Sequence, residues 1–263
     1  MAESYKIIAE QDYCTVVAKY ESSRKNGNAY QSEQDLERWL IEQLQRQGYE
    51  YPSIHNEKEL LENLRIQLGK ANDTEYSDKE WTSLLNILTS ETLTMEDKAG
   101  MIQKENTAVE IERDNGIKTN VHLIHKDNVF KNNLQVINQY VPAGGTHANR
   151  YDVTILVNGL PLVHIELKRR GVSIREAFNQ INRYARESFW AGKGMFDYIQ
   201  LFIISNGTET KYYSNTTRYA REQEADKLKG KKKKIQSNSF EFTSYWSDRE
   251  NNLICDLEDF TQT

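Results

Sequence analysis

The chain has 263 residues, 38% hydrophobic and 28% charged, which is ample for a packed core and unlike a disordered chain. Its formal charge of −5 argues against a module that holds DNA by net charge alone, so a nucleic-acid substrate would need a local basic surface or a partner. No apolar run approaches the ~20 residues of a membrane span, the N-terminal MAESYKIIAEQDYC lacks an export signal, and Cys14 and Cys255 are too far apart for a CxxC or zinc pattern; a soluble cytoplasmic protein with reduced thiols is expected.

In chain order, residues 1–31 hold a strand-like run, CTVVAKY, and the turn-rich SSRKNGN. Ser32 with Asp35 resembles a capping box, Leu36, Trp39, Leu40 and Leu44 share one helical face, and Gly48 suits a stop, which predicts a helix over 33–47. Three further helical stretches are expected near 56–70, 78–89 and 94–105, with Leu60, Leu61, Leu64 and Leu68 at helix spacing, as an inserted helical cap. The pattern then turns to strands: AVEIERDNG, KTNVHLIH, RYDVTILVNG and LPLVHIELK, read together as the sheet. Ser173 with Glu176 opens a helix to about 188, and YIQLFIIS is a buried strand. KLKGKKKKIQ reads as a basic loop, with a solvated role at least as plausible as DNA contact, and the aromatic tail beyond it calls for burial. The expected organisation is one mixed α/β domain over 1–263: a core helix at 33–47, a helical insertion at 56–105, a core at 108–218, and a basic loop and tail at 219–263. No GxxxxGK[ST] phosphate loop is present in the sequence.

The chemistry concentrates in YDVTILVNGLPLVHIELKRRG, a hairpin around Asn158-Gly159. The apolar faces Val153, Ile155, Val157 and Val163, Ile165, Leu167 coincide only if 155 pairs with 163 and 153 with 165, which points to a three-residue loop. Asp152 then lies opposite Glu166, and Lys168 emerges on the same side, on a sheet whose other face is core. Paired carboxylates bind Mg²⁺, which neutralises a phosphoryl transition state and acidifies a bound water, while an ammonium stabilises developing anionic charge. An E-x-K tripeptide alone is more often a polar strand face with ion pairing; the signal is that Asp152 falls opposite it in the one register the core permits.

D-x13-E-x-K followed by a helix carrying Gln180 and Tyr184 resembles the PD-(D/E)xK nucleases, in the branch with a Q-x-x-x-Y motif. Further, NRYDVTILVNGLPLVHIELKRRG, REAFNQINRYARESFWAG and ISNGTETKYYSNTTR resemble the N-terminal endonuclease domain of the restriction subunit (HsdR) of type I restriction-modification enzymes, over nearly the whole chain. Tyr151 replaces the nominal proline of that pattern. The resemblance implies a restriction-endonuclease-like α/β fold and Mg²⁺-dependent endonucleolytic cleavage of double-stranded DNA as a type I site-specific deoxyribonuclease, in defence against foreign DNA, with Mn²⁺ substituting. It implies Asp152 and Glu166 as metal ligands, assisted by the Leu167 carbonyl, and Lys168 as the catalytic lysine. Gln180 and Tyr184, neighbours on one helix face turned away from Phe178, Ile181 and Ala185, would orient the lysine or a DNA phosphate. Glu37 is a candidate metal ligand by similarity to the family's first helix, ahead of Glu33 and Glu42, although a surface glutamate is the commoner case. Arg183 and Arg186 are candidate DNA contacts. The resemblance also implies methylation and specificity subunits as partners and an ATP-driven motor in a longer subunit, so that this chain would lack ATPase activity and cut poorly alone.

Other candidates are weaker. His122 and His125, three apart in an expected strand, should face opposite sides. His164 should point to the catalytic face as a hydrogen-bonded sheet histidine. A recombination-type exonuclease and a non-catalytic docking module with the same fold are the rival readings.

Overall fold

The computed structural model describes residues 4–9, 17–21, 32–142, 149–189, 192–220 and 239–262. Short-range capping sets the helices. Ser32 accepts from Asp35 N at the start of α1 (Glu33–Arg46), and Gly48, at φ 95°, ends it in a conformation that glycine adopts without strain. Asn56 caps α2 (Glu57–Ala71), and full capping boxes, Ser77 with Glu80 and Thr94 with Asp97, open α3 (Asp78–Leu88) and α4 (Met95–Gln103). Helix α5 (Ile174–Glu187) starts differently from the expected box, because the Ser173 hydroxyl accepts from Arg175 N rather than from Glu176. The expected helix bounds hold to within about two residues.

The strands correct the expectation in three places. Strands β1 (Ser4–Ala9) and β2 (Val17–Glu21) pair with each other, and β3 (Ala108–Glu112) and β4 (Lys118–His122) form a two-stranded hairpin of their own rather than part of the main sheet. The central sheet has five strands in sequential order: β5 (Leu134–Tyr140), β6 (Tyr151–Val157), β7 (Leu160–Leu167), β8 (Leu201–Ser205) and β9 (Thr210–Ser214). Its flanking strands β5 and β9 are additions to the sequence reading. All pairs are antiparallel except β7 with β8, whose parallel pairing requires a crossover, supplied by α5. Residues 215–220 are helical (α6), and β10 (Trp246–Ser247), β11 (Leu253–Ile254) and α7 (Leu257–Gln262) end the described chain. The lysine-rich run at 227–234 lies outside the described residues.

Pairings 155 with 163 and 153 with 165 are as expected, but the connection is not a three-residue loop. Val157 pairs with Leu160 across a two-residue turn at Asn158-Gly159, both at positive φ (50° and 83°), and the register shifts by one residue at Leu162. A bulge, not a longer loop, brings the two apolar faces into coincidence.

Both sheet faces are covered. On one, Val136, Val153, Ile165, Leu167 and Ile203 pack with Leu36, Leu40, Ile41 and Leu44 of α1 and Leu257 of α7. On the other, Leu156, Leu160, Phe202 and Ile204 join α5 through Phe178, Ile181 and Tyr184, together with Leu60, Leu64, Leu68, Leu84 and Leu88 of the helical insertion. The aromatic tail is only partly buried: Phe242 is 41% and Trp246 42% exposed. Among the described residues, no helix is long and apolar enough to cross a membrane.

Candidate active site

Strand alternation puts Asp152, His164 and Glu166 on the α5 side of the sheet, and Lys168 follows at the end of β7. The sequence placed these groups on one side of a sheet whose other face is core; their own side is covered as well, with Glu166 and His164 fully buried and Lys168 nearly so. Asp152 Oδ2 accepts from Leu167 N at 2.9 Å, which ties the end of β7 to β6 beyond the last paired residues. The Lys168 ammonium donates to Glu166 Oε1 at 3.3 Å and to the Leu167 carbonyl at 3.0 Å. Asp152, Glu166, Lys168 and that carbonyl therefore converge at one point.

Burial dominates the electrostatics. It pushes the Asp152 carboxyl well above its usual range, and the neighbouring Glu166 charge adds to the shift. Glu166 is pushed up as well, again by burial, with Lys168 pulling the other way. His164 is driven down to about 4, so its ring is neutral at physiological pH. Its Nδ1 lies 3.3 Å from Thr154 Oγ1, and its Nε2 lies 3.4 Å from Glu166 Oε2.

Helix α1 presents two glutamates to this site. Glu37 is buried, not on the surface, and both its oxygens accept from side-chain amides, those of Asn138 and Gln139. Burial raises its carboxyl, and the charge of Asp152 contributes to the rise. Glu33, ranked behind Glu37 in the sequence, stands nearer the lysine: its Oε2 is 4.0 Å from Lys168 Nζ and its Oε1 accepts from Arg169 N at 3.4 Å. Glu42 is exposed. Asn138 and Gln139 were missed because they belong to β5, whose run LQVINQY breaks the alternation that marks a strand. Gln139 stands opposite Asp152, between the pairs Asn138–Val153 and Tyr140–Tyr151, at φ 55°; a non-glycine residue in the left-handed region marks strain next to the carboxylates.

Gln180 and Tyr184 do meet, the amide donating to the phenol oxygen at 2.5 Å. The expected orientation is corrected for Tyr184: it is not turned from the apolar stripe but belongs to the core, 1% exposed, with its ring against Tyr151 and Phe189. Its hydroxyl donates to the Arg150 carbonyl at 2.9 Å, so the motif clamps the start of β6 two residues before Asp152. Arg183 and Arg186 are exposed on α5, Arg183 packing over the Tyr184 ring at 5.5 Å. His122 and His125 do not face apart: β4 ends at His122, and the turn that follows brings their rings to 5.2 Å. His125 Nε2 lies 2.7 Å from the Ala71 carbonyl, which commits it to backbone.

Two carboxylates, a backbone carbonyl and an ammonium suit a hard cation that keeps part of its water shell, since Mg²⁺ needs only one or two carboxylates. Among the described residues no three or more His, Cys, Asp and Glu side chains gather into a cage, so a zinc-type all-protein site is not on offer there. The buried Glu166 Oε2, without a hydrogen-bond partner, is the atom a cation would satisfy or that a neighbour must.

The chain matches the family described as type I restriction enzyme R protein N terminus over residues 30–221. It is 45% identical over its whole length to the type I restriction enzyme EcoprrI endonuclease subunit of Escherichia coli, covering 79% of that protein. It is 40% identical to the SsaAORF53P endonuclease subunit of Staphylococcus saprophyticus and 38% to the SauMSSORF170P endonuclease subunit of Staphylococcus aureus, in each case over 89% of this chain and 23% of the relative. The chain thus spans under a quarter of these staphylococcal relatives.

Proposed function

The chain belongs to the family of type I restriction enzyme R protein N termini, and we propose that it carries the nuclease site of such an enzyme, cutting double-stranded DNA by Mg²⁺-dependent hydrolysis within the chain. Its relatives are restriction endonuclease subunits. The observation that carries the finer reading is the convergence of Asp152, Glu166 and Lys168 on the Leu167 carbonyl at the end of β7.

Asp152 and Glu166, with the Leu167 carbonyl, would hold the cation, and Glu37 stands behind Asp152 as a further acidic group. When bound, Mg²⁺ supplies charge neutralisation at the phosphate and a more acidic water. The chain's own groups do the rest. Glu166 and Asp152, both raised by burial, give up protons to accept a cation, so binding is coupled to proton release. Lys168, already desolvated, places its ammonium where a scissile phosphate gains negative charge, in a setting where such a contact is stronger than in water. Tyr184, held by Gln180, fixes the strand that carries Asp152. Arg183 and Arg186 would meet the DNA backbone. In the assembled type I enzyme, methylation and specificity subunits choose the DNA, and an ATP-driven motor in the longer subunit delivers it.

The test is cleavage of supercoiled plasmid with Mg²⁺ or Mn²⁺, first by this chain and then in the assembled enzyme. The expected outcome is metal-dependent nicking or linearisation that Lys168→Ala slows by about 100-fold or more. A closed circle offers no end, so an exonuclease gives no product. Cutting that needs no metal, or that proceeds equally in Lys168→Ala, sinks the reading.

A further inference from the structure

His164 is an ionisable group on the catalytic face of the sheet to which the reaction above assigns no task. It is fully buried on β7, two residues before Glu166 and so on the same face. Aromatic rings enclose it: Tyr151 at 5.5 Å, Tyr184 at 6.2 Å, Phe189 at 5.9 Å and Phe202 at 6.3 Å. Such a pocket suits an apolar side chain as well as an imidazole, so packing alone does not call for histidine. The polar contacts do. Nδ1 is fixed 3.3 Å from Thr154 Oγ1, which orients the ring and aims Nε2 at Glu166 Oε2, 3.4 Å away. These two facing atoms, Nε2 and Oε2, are both buried and neither has a hydrogen-bond partner. Two orphaned buried polar atoms at that separation are satisfied together by one hydrogen between them, whereas either left alone costs about 1–3 kcal/mol.

We propose that His164 is a positioning residue for Glu166, its Nε2 sharing a hydrogen with Oε2 so that Oε1, beside Lys168, is turned toward the site. The proposal rests on the reading of Glu166 as a cation ligand, and follows the general pattern in which ligating carboxylates are themselves held by an outer hydrogen bond.

Mn²⁺ binding to the whole chain, followed by the electron paramagnetic resonance of free ion, tests it without any cleavage assay. His164→Phe, which keeps a ring in the aromatic pocket but has no polar atom, should weaken Mn²⁺ binding about 10-fold or more. His164→Gln, whose amide reaches the same oxygen, should stay within about 3-fold of the unsubstituted chain. An unchanged affinity in His164→Phe, or an equal loss in both variants, overturns the proposal. Glu166→Gln is the companion: equal Mn²⁺ binding with and without it overturns the metal reading and this inference together, while a loss there beside an unchanged His164→Phe removes this inference alone. Should the variants not fold, a crystal structure of the unsubstituted chain with Mg²⁺ decides, with Nε2 expected about 2.7–3.2 Å from Oε2; a ring turned away from the carboxylate overturns it.

Discussion

Glu166 occupies a position where its charge is expensive: wholly buried, beside Asp152, with Lys168 as partial compensation. Burial pushes its carboxyl from the ordinary 4.5 up to about 8. In the metal-free protein, the folded state therefore keeps a proton over a range where the unfolded chain has lost it. The stability this contributes is fully present below the unfolded value and disappears as pH rises through the folded one. Urea unfolding without metal should show the unsubstituted chain losing stability relative to Glu166→Gln by up to about 1.4 kcal/mol per pH unit between roughly pH 5 and 8. Parallel pH curves for the two proteins would refute the assignment, and saturating Mg²⁺ should flatten the trend, because the metal-bound folded state no longer holds the extra proton. That Asp152 and Glu166 share a face could be read from the chain, because side-chain alternation and one apolar register left no choice. Their depth could not. His164, two residues before Glu166, could be placed on that face, but the groups that close over the site from other elements, Glu37 of α1, Asn138 and Gln139 of β5 and Tyr184 of α5, make contacts at separations that leave no local pattern.

The β6–β7 hairpin shows how an element sets the site. Asn158-Gly159 marks a two-residue turn in the sequence, yet the residues alone suggested a longer loop, because the extra residue at Leu162 carries no local mark beyond its neighbour Pro161, which cannot donate to a ladder. The turn is also a contact point. A Cβ on Gly159 would lie 2.7 Å from Leu64 Cα of α2, with φ at 83°, whereas a Cβ on Gly48, at φ 95°, meets nothing within 4 Å. Gly48→Ala should therefore cost only the left-handed penalty, about 1–2 kcal/mol. Gly159→Ala should cost that plus overpacking of about 1–3 kcal/mol more, read as a larger shift in urea midpoint at unchanged slope. Equal losses would mean that α2 gives way and does not brace the turn. Helices were legible throughout because caps and 3.6-residue periodicity are local; β5 and β9 were not, since each offers only a short polar-interrupted run.

At the scale of the molecule, α2, α3 and α4 look from the sequence like an insertion that could be lifted off, but their apolar faces belong to the same continuous core as the catalytic side of the sheet. Leu60, Leu64, Leu68, Leu84 and Leu88 have no exposed surface, and each such side chain removed from water is worth about 1.5–3 kcal/mol. Asn158, at the hairpin turn, bonds the Leu123 carbonyl and Asn132 and so ties the turn to the segment following β4. Cooperativity follows from shared burial, because neither part can expose its face without stripping the other. Tryptophans report both sides, Trp39 on α1 and Trp81 on α3. Single-tryptophan variants retaining either one should give coincident urea transitions, matching the loss of helical circular dichroism. Leu64→Ala, whose site is walled by α2 and the β6–β7 turn, should lower stability by about 2–5 kcal/mol and move both transitions together. If the Trp81 transition instead came first while Trp39 stayed native, the helical region would be an independently unfolding layer, and the hairpin carrying Asp152 and Glu166 would owe its geometry to α1 and α5 alone.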